Sequence, residues 1–230
     1  RCLEVDPNHK GALTGLAEAA MHAQEWNQAA TYKVRLARVT QEPQERFDKL
    51  VEAGEIWARR ANDLETASKA YEEARQIKPR DHWLLHTLMW VYGEAEAWES
   101  LVNVLRAVVD IQETDDRRAK SIYALAQVLE DKLRAPARAA EAYDQVLDLD
   151  ASRLDAFEKI VRLWTELKDW PSLERAYRKM LARVKDSDNR SLQKLLFHQL
   201  GLIYRDRIAN AESAIEAFVA AAKLDPDDQD

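Results

Sequence analysis

The residues of this chain best suited to chemistry by type and spacing are His82 and His86, which lie one helical turn apart. Two imidazoles at this spacing can hold a metal ion, but no acidic or thiol residue stands where a third ligand is needed. We therefore expect no metal here. The carboxylates of Glu52 and Glu55 also share a helix face. Because nothing around them indicates acid–base chemistry, we interpret them as solvated or ion-paired.

Other catalytic patterns are missing from the sequence. It contains no Gly-rich phosphate loop, His-Glu-x-x-His motif, paired cysteine motif or Gly-x-Ser-x-Gly sequence. The one cysteine, Cys2, cannot form an internal disulfide. We predict that the chain is not an enzyme and uses no cofactor.

An aromatic stripe is the more informative feature. Trp83, His86 and Trp90 stand at i, i+3 and i+7, which is one face of a helix. By alignment with the rest of the chain, the core positions of this helix go to Leu85, Leu88, Met89 and Tyr92. The stripe either lines a binding surface or packs against a neighbouring helix near Ala58. We favour the binding surface for Trp90 and His86 and leave Trp83 open between the two.

Composition and charge limit the class of protein. The 230 residues are 47% hydrophobic and 33% charged, with five Gly and six Pro, which favours long helices with short connections. The net charge of −7 disfavours binding to nucleic acid or to an acidic membrane surface. No apolar run approaches the roughly 20 residues that span a bilayer. The sequence does not indicate a compartment.

The chain repeats itself. Two sets of residues recur at an interval of 72, one of tryptophans and one of aliphatic residues: Trp26, Trp98 and Trp170, and Leu16, Leu88 and Ile160. An interleaved series is spaced 72 and then 75, namely Ala67 with Tyr71, Ala139 with Tyr143, and Ala214 with Phe218. Such a period indicates an array of small repeated units rather than one compact domain.

Each unit has the pattern of two antiparallel helices, with apolar residues at three- and four-residue spacing. In the last unit, small residues at Gly201, Ala214 and Ala221 would let the two helices approach closely, while Tyr204 and Phe218 fill the space above and below them. Even-numbered units are longer, and we place their extra residues in the loops at 62–63, 131–135 and 206–210.

In two repeats, the first of the two helices is predicted to begin shortly after a proline. Asn8 comes directly after Pro7, and Asp81 lies two residues beyond Pro79. Asn and Asp are favoured N-cap residues, so we predict that Asn8 and Asp81 cap these helices.

These residues resemble the tetratricopeptide repeat, a helix–turn–helix family of about 34 residues. Repeat two carries the pattern through Ala53, Gly54, Trp57, Ala67, Tyr71, Ala74, Ile77 and Pro79, and repeat four through Leu125, Ala126, Leu129, Ala139, Tyr143 and Leu149. Repeats one, three and five depart from it, because their second helices begin at tryptophan, and Leu101 and Leu173 replace the alanine of the family. These departures affect the local helix crossing rather than the fold.

The resemblance implies an all-α fold, an α-α superhelix or solenoid of about six helix–turn–helix repeats. They lie at approximately 8–41, 42–79, 80–113, 114–151, 152–186 and 187–226. We interpret residues 1–7 as the tail of a preceding helix and Asp225-Pro226 as the end of the last one. We therefore expect the chain to be a single repeat segment of a longer protein.

In this family the non-core face of the first helices lines a concave groove that binds peptides or helices of partner proteins. Carried over by position, the resemblance places in the groove Val51, Glu55, Trp83, His86, Trp90, Tyr123 and Gln127. Flanking positions are Glu18, Met21, Glu158 and Arg162. We predict a non-catalytic scaffold for a protein or peptide partner, with no nucleic acid and no membrane insertion.

Two other functions stay open. The segment could be the substrate- or regulator-binding arm of a larger enzyme or signalling protein, and the flanking sequence would decide that. It could also be an architectural module that self-associates end to end. On the last helix Ile215, Val219 and Ala222 form a second apolar row that no following helix in this sequence covers.

Overall fold

The structure, a computed structural model, describes residues 6–186 and 188–224. Within these residues all regular structure is helical, and twelve α-helices follow one another as six pairs. The predicted all-α repeat fold is confirmed. Cys2, most of the predicted helix tail at residues 1–7 and the Asp225-Pro226 stop lie outside the described residues.

Each repeat contributes a first and a second helix. The first helices are α1 (Lys10–His22), α3 (Pro43–Ile56), α5 (His82–Glu94), α7 (Asp115–Gln127), α9 (Leu154–Leu167) and α11 (Arg190–Ile203). The second helices are α2 (Trp26–Val39), α4 (Leu64–Ile77), α6 (Trp98–Ile111), α8 (Pro136–Leu149), α10 (Trp170–Arg183) and α12 (Ala211–Leu224). As predicted, the second helices of the odd repeats begin at tryptophans.

The chain divides into two compact units, Arg1–Ile111 and Gln112–Asp230. The N-terminal unit contains α1 to α6, and its fully buried side chains include Leu13, Leu50, Tyr71, Leu84 and Leu88. The C-terminal unit contains α7 to α12, and its fully buried side chains include Leu129, Tyr143, Leu147, Ile160 and Met180. Each unit therefore has a hydrophobic core of its own.

The helices of repeats two and six approach closely because one carries glycine where the other carries an aromatic ring. A Cβ added to Gly54 would lie 2.6 Å from the ring of Tyr71, and one added to Gly201 would lie 2.6 Å from the ring of Phe218. The predicted small-against-large contact is confirmed. In repeat four the position of this glycine is taken by Ala126, which is also buried. The two helices therefore do not approach equally closely in every repeat.

The extra residues of the even repeats lie in the first helix and not in the loop. Helices α3, α7 and α11 each continue into a five-residue π-helical turn, at Trp57–Ala61, Val128–Lys132 and Tyr204–Ile208. The prediction of longer loops is wrong, since an inserted residue can be accommodated by widening the last helical turn. In repeat two the closing hydrogen bond runs from the Asp63 N–H to the Trp57 carbonyl, at 2.9 Å.

Helix caps differ at the two predicted positions. The carboxylate of Asp81 accepts a hydrogen bond from the Leu84 N–H at 2.9 Å and caps α5, as predicted. At α1 the cap is His9, whose Nδ1 accepts from the Ala12 N–H at 3.0 Å. The prediction of Asn8 is wrong, because Asn8 lies in the preceding turn and its N–H donates to Asp6.

The loop between the two helices of every repeat contains one residue with a left-handed backbone. None of the six is glycine, and their φ angles lie between 51° and 59°: Gln24, Asn62, Glu96, Arg134, Lys168 and Ala209. For residues other than Gly, Asn and Asp, this conformation brings Cβ close to the backbone. Most of these loops are therefore mildly strained.

We expect Gly54→Ala to destabilise the protein by about 1–3 kcal/mol, because the new methyl group collides with the ring of Tyr71. The free energy of unfolding in urea measures this change. The matched control is Gly15→Ala, at an exposed position in α1 where an added Cβ meets nothing within 4 Å. Alanine should stabilise that site by about 0.5–1 kcal/mol. Equal effects of the two variants would contradict the close approach in repeat two.

We expect Ala209→Gly to stabilise the protein by up to about 1 kcal/mol, because glycine adopts the φ of 58° found there without strain. Thermal unfolding measures the effect. In the control, Ala220→Gly, the same methyl group is removed from within α12 and stability should fall by about 1 kcal/mol. A loss of stability in both variants would refute the strain at Ala209.

Candidate functional site

The aromatic stripe lies on the exposed side of α5. Trp83 keeps 46% of its surface exposed and Trp90 keeps 45%, and His86 between them is exposed as well. Of the predicted core residues of α5, Leu85, Leu88 and Tyr92 are buried, whereas Met89 is only half-buried. The stripe is thus a continuous surface over two turns of one helix.

Trp83 is held in place by the second helix of the preceding repeat. Its ring makes an edge contact with the ring of Tyr71 in α4, with centroids 6.4 Å apart and an interplanar angle of 74°. Tyr71 in turn lies against Gly54 of α3. Burial raises the pKa of the Tyr71 hydroxyl, and the negative charge of Glu55 raises it further, so this phenol stays neutral. Trp83 therefore fits both interpretations of the stripe. It packs against a neighbouring helix, and part of its ring is still exposed.

One of the two predicted groove residues of α3 lines a cavity that contains charged side chains. Val51 and Glu55 are half-buried on this helix. Glu55 lines a cavity of about 380 Å³ together with Met21, Lys33 and Arg59. Lys33 forms an ion pair with Glu52 across this cavity. This part of the N-terminal unit therefore offers both charge signs and the thioether of Met21 to a ligand.

The remaining predicted residues, Tyr123 and Gln127, lie on α7 in the C-terminal unit. Gln127 is exposed, but Tyr123 is half-buried and already engaged. The ring of Tyr143 lies 5.1 Å from its centroid, and the Arg153 guanidinium lies 4.6 Å from it. Arg153 also lowers the pKa of Asp155 to about 2 through hydrogen bonds. Part of the Tyr123 ring is therefore already covered by residues of its own unit.

An apolar groove in the C-terminal unit escaped the sequence analysis. It lies between α9 and α11, has a volume of about 540 Å³, and is lined mainly by Leu154, Phe157, Val161, Leu192, Leu195 and Leu196. Leu195 is 55% exposed. The sequence signal was the spread of leucines on α11, which covers more of the helix circumference than one packing face requires.

Charged residues border this groove. One of the predicted flanking residues, Arg162, is already engaged in ion pairs. Arg162 forms ion pairs with Glu130 and with Glu166, the latter at 3.1 Å. Glu130 also accepts a hydrogen bond from the Tyr143 hydroxyl at 2.8 Å and lies 3.3 Å from Lys159. Arg162 therefore serves to tie α9 to the π-helical turn after α7. Glu158 stays at the border of the groove.

The same network sets the protonation of Glu130. Burial would raise the pKa of this carboxyl, but hydrogen bonds from Tyr143 and Arg162 and the charge of Lys159 outweigh burial and lower the pKa. A carboxyl with a lowered pKa stabilises the fold at neutral pH. That contribution falls as the pH drops from about 4.5, the ordinary value, through the lowered value.

We expect Glu130→Gln to lower the free energy of unfolding by about 1–3 kcal/mol at pH 7, because it removes a charged acceptor shared by three partners. The difference from the unchanged protein should shrink as the pH falls below about 4. Urea unfolding at a series of pH values measures it. Glu113→Gln, at an exposed position, is the control and should change little. A difference that does not vary with pH would rule out the ionised network.

Two further features of the described residues bear on function. Between residues 6 and 224, Ser187 apart, no group of three or more His, Cys, Asp and Glu side chains could hold a metal ion. In the same part of the chain no helix has the length and apolar character needed to cross a membrane.

Several solved structures are similar to this chain at low sequence identity. MamA is 17% identical over 78% of this chain and 92% of its own, with a TM-score of 0.38. YrrB, described as a tetratricopeptide repeat protein with an unusual peptide-binding site, is 18% identical over 78% of this chain and 87% of its own, with a TM-score of 0.35. A tetratricopeptide repeat protein from Parabacteroides merdae is 15% identical over 94% of this chain and 85% of its own, with a TM-score of 0.40. With TM-scores below 0.5, these structures do not indicate which residues of this chain bind a partner.

No curated protein matches the chain in sequence. Residues 196–228, which form most of repeat six, match the family described as Tetratricopeptide repeat. The family is defined on one repeat of about 34 residues, so a match to a single repeat is its natural extent. Repeats two and four carry a small residue and an aromatic residue at the positions that Gly201 and Phe218 occupy in repeat six. Repeat six thus matches the tetratricopeptide repeat family, and the other repeats share its arrangement in helix pairs.

Proposed function

We propose that the chain is a protein-binding scaffold that holds a peptide or helix of a partner protein against the aromatic stripe of α5. Tetratricopeptide repeats in general serve as protein-interaction modules, which gives the class of function. The stripe, formed by Trp83, His86 and Trp90, is the proposed centre of binding. No catalytic step is assigned to it.

The exposure of two tryptophans carries this proposal. The chain has seven tryptophans, and the other five are buried or half-buried: Trp26, Trp57, Trp98, Trp164 and Trp170. An exposed half of an indole amounts to roughly 100 Å², and burying it would contribute about 2–3 kcal/mol. Two such rings seven residues apart on one helix therefore favour a partner that covers both.

The stripe suits a short apolar segment of a partner. From Trp83 to Trp90 the helix rises by about 10 Å, which an extended peptide spans with three or four residues and a helix with two turns. None of the three stripe side chains carries a formal charge with His86 neutral. We therefore expect aliphatic or aromatic partner side chains, with His86 as a hydrogen-bonding partner between them. Val51 and Glu55 would contact a longer segment. Tyr123 and Gln127 belong to the C-terminal unit, and their role in binding stays a separate prediction.

The apolar groove between α9 and α11 is the competing surface for the same function. It is a groove lined by several leucines, but these are flexible aliphatic side chains. Rigid aromatic side chains lose less rotamer entropy on binding and are enriched among residues that dominate binding energy. We therefore place the principal contact at the stripe.

We expect Trp90→Ala to weaken the binding of a partner peptide at least tenfold, because truncation removes most of one indole contact. Peptides selected against the unchanged protein from a random display library are the probes, and isothermal titration calorimetry gives their affinities. His86→Ala should weaken binding less, since it removes at most one hydrogen bond.

Two control variants separate the surfaces. Lys69→Ala changes an exposed residue of α4 and should alter the affinity less than twofold. Leu195→Glu places a charge in the α9–α11 groove. Unchanged affinity in Trp90→Ala and His86→Ala, with loss of binding in Leu195→Glu, would move the site to that groove. Circular dichroism confirms that each variant is folded.

A further inference from the structure

The π-helical turn of repeat two differs in charge from the turns of repeats four and six. It carries two adjacent arginines, Arg59 and Arg60. In the same register, 72 residues on and then a further 75, the other turns carry Asp131-Lys132 and Asp206-Arg207. The second position is basic in all three turns, but the first is an aspartate in two of them. A turn of this kind therefore forms without a base at the position of Arg59.

The fold uses the two arginines of this turn differently. The Arg60 guanidinium lies over the ring of Trp26, 5.6 Å from its centroid. Arg59 makes no such contact with a ring, and both arginines are exposed. Within residues 6–186 and 188–224, neither has an acidic side chain at ion-pair distance. The turn therefore presents two adjacent positive charges to solvent.

Both arginines line the cavity of about 380 Å³ in the N-terminal unit. Its charged lining residues are three basic and two acidic side chains, namely Lys33, Arg59, Arg60, Glu52 and Glu55. Glu52 is already neutralised, because it forms an ion pair with Lys33 and lies 3.8 Å from Lys49. The cavity is thus locally positive in a chain whose net charge is −7. A positive concave surface attracts anionic groups.

The cavity adjoins the aromatic stripe through Tyr71. Burial raises the pKa of the Tyr71 hydroxyl, the charge of Glu55 raises it further, and the charge of Arg59 lowers it, so both charged groups lie near this hydroxyl. The ring of Tyr71 in turn contacts the ring of Trp83, with centroids 6.4 Å apart. A partner segment that lies on Trp83 therefore passes Arg59 within a few residues.

We propose that the partner segment held at the stripe carries an acidic side chain whose carboxylate binds to Arg59 and Arg60. This inference rests on the proposed function and specifies the partner, which combines apolar residues for the stripe with an Asp or Glu for the cavity. Stacking on a ring leaves the N–H groups of a guanidinium available to a carboxylate and limits its motion, so Arg60 is partly preorganised. Glu55 opposes the carboxylate, which restricts where the acid can stand in the segment.

Parallel selection of peptides from a random display library tests the proposal. One selection uses the unchanged protein and the other uses Arg59→Gln. Both pools should share apolar residues, because the stripe is intact in each protein. Only the pool from the unchanged protein should be enriched in Asp or Glu at a fixed distance from those apolar residues. Equal acid content in the two pools would overturn the proposal.

Isothermal titration calorimetry then measures the contribution of the acid. A selected peptide is compared with a counterpart that carries Gln or Asn in place of the acid. The unchanged protein should prefer the acidic peptide by about three- to tenfold at about 50 mM salt and less at about 500 mM. Arg59→Gln should bind the two peptides alike, and Glu55→Gln should increase the preference. Arg46→Gln, at another exposed arginine of α3, is the matched control and should keep the preference of the unchanged protein.

The same titrations separate this proposal from the function on which it rests. Trp90→Ala should weaken both peptides by the same factor and keep the preference for the acid. Weakening by Trp90→Ala without any preference for the acid would overturn the acidic partner and leave the stripe as the binding surface. A preference that Arg59→Gln removes, with no effect of Trp90→Ala, would instead refute the stripe and leave the anion site.

A third peptide, with phosphoserine in place of the acid, distinguishes the two kinds of anion. If only the phosphoserine peptide binds better than the uncharged counterpart, the cavity recognises phosphate and the proposed carboxylate is wrong. Circular dichroism confirms that each variant is folded.

Discussion

A single helix pair of this chain cannot bury both of its apolar faces, and the rest of the structure depends on this constraint. In repeat four, Tyr143 points its hydroxyl at Glu130 of its own pair, while Ala140 on the same helix faces Ile160 of the next pair. Burial of one face requires the partner helix, and burial of the other requires the neighbouring repeat. Stability is therefore shared between neighbouring helix pairs.

The 72-residue interval corresponds to a physical building block of two pairs. Odd repeats begin their second helix at tryptophan, and even repeats end their first helix in a π-helical turn. The turn of repeat two places Arg60 over the ring of Trp26, 5.6 Å from its centroid, and that of repeat six places Arg207 over Trp170 at 4.7 Å. Each contact is a cation–π interaction worth about 0.5–1 kcal/mol at an exposed site. The widened turn and the tryptophan thus belong to the same odd-to-even junction.

The sequence predicted most of the architecture, because helix pairing depends on residue types at fixed spacing. The helix starts at tryptophan, the glycine beneath an aromatic ring and the exposed stripe all followed from periodicity. The sequence did not predict details that depend on the exact rotation of a helix about its axis. Met89 was predicted in the core, yet Val91 is fully buried and Met89 is half-buried, since packing against neighbouring helices decides the final rotation of α5. Likewise, whether Arg162 faced a ligand or Glu130 depended on contacts 32 residues away in sequence.

The same close packing that stabilises repeat two also prepares the proposed binding surface. Gly54 lets Tyr71 lie close to α3, and Tyr71 then supports the ring of Trp83 from one side. Trp90 has no ring contact of this kind with any aromatic residue between 6 and 224. Trp83 is therefore already restricted before a partner arrives, whereas Trp90 has more rotamer freedom to lose. Since preorganised side chains bind at lower entropic cost, the two tryptophans are suited to different tasks. In the proposed site, Trp83 would fix the position of a partner and Trp90 would adapt to its shape.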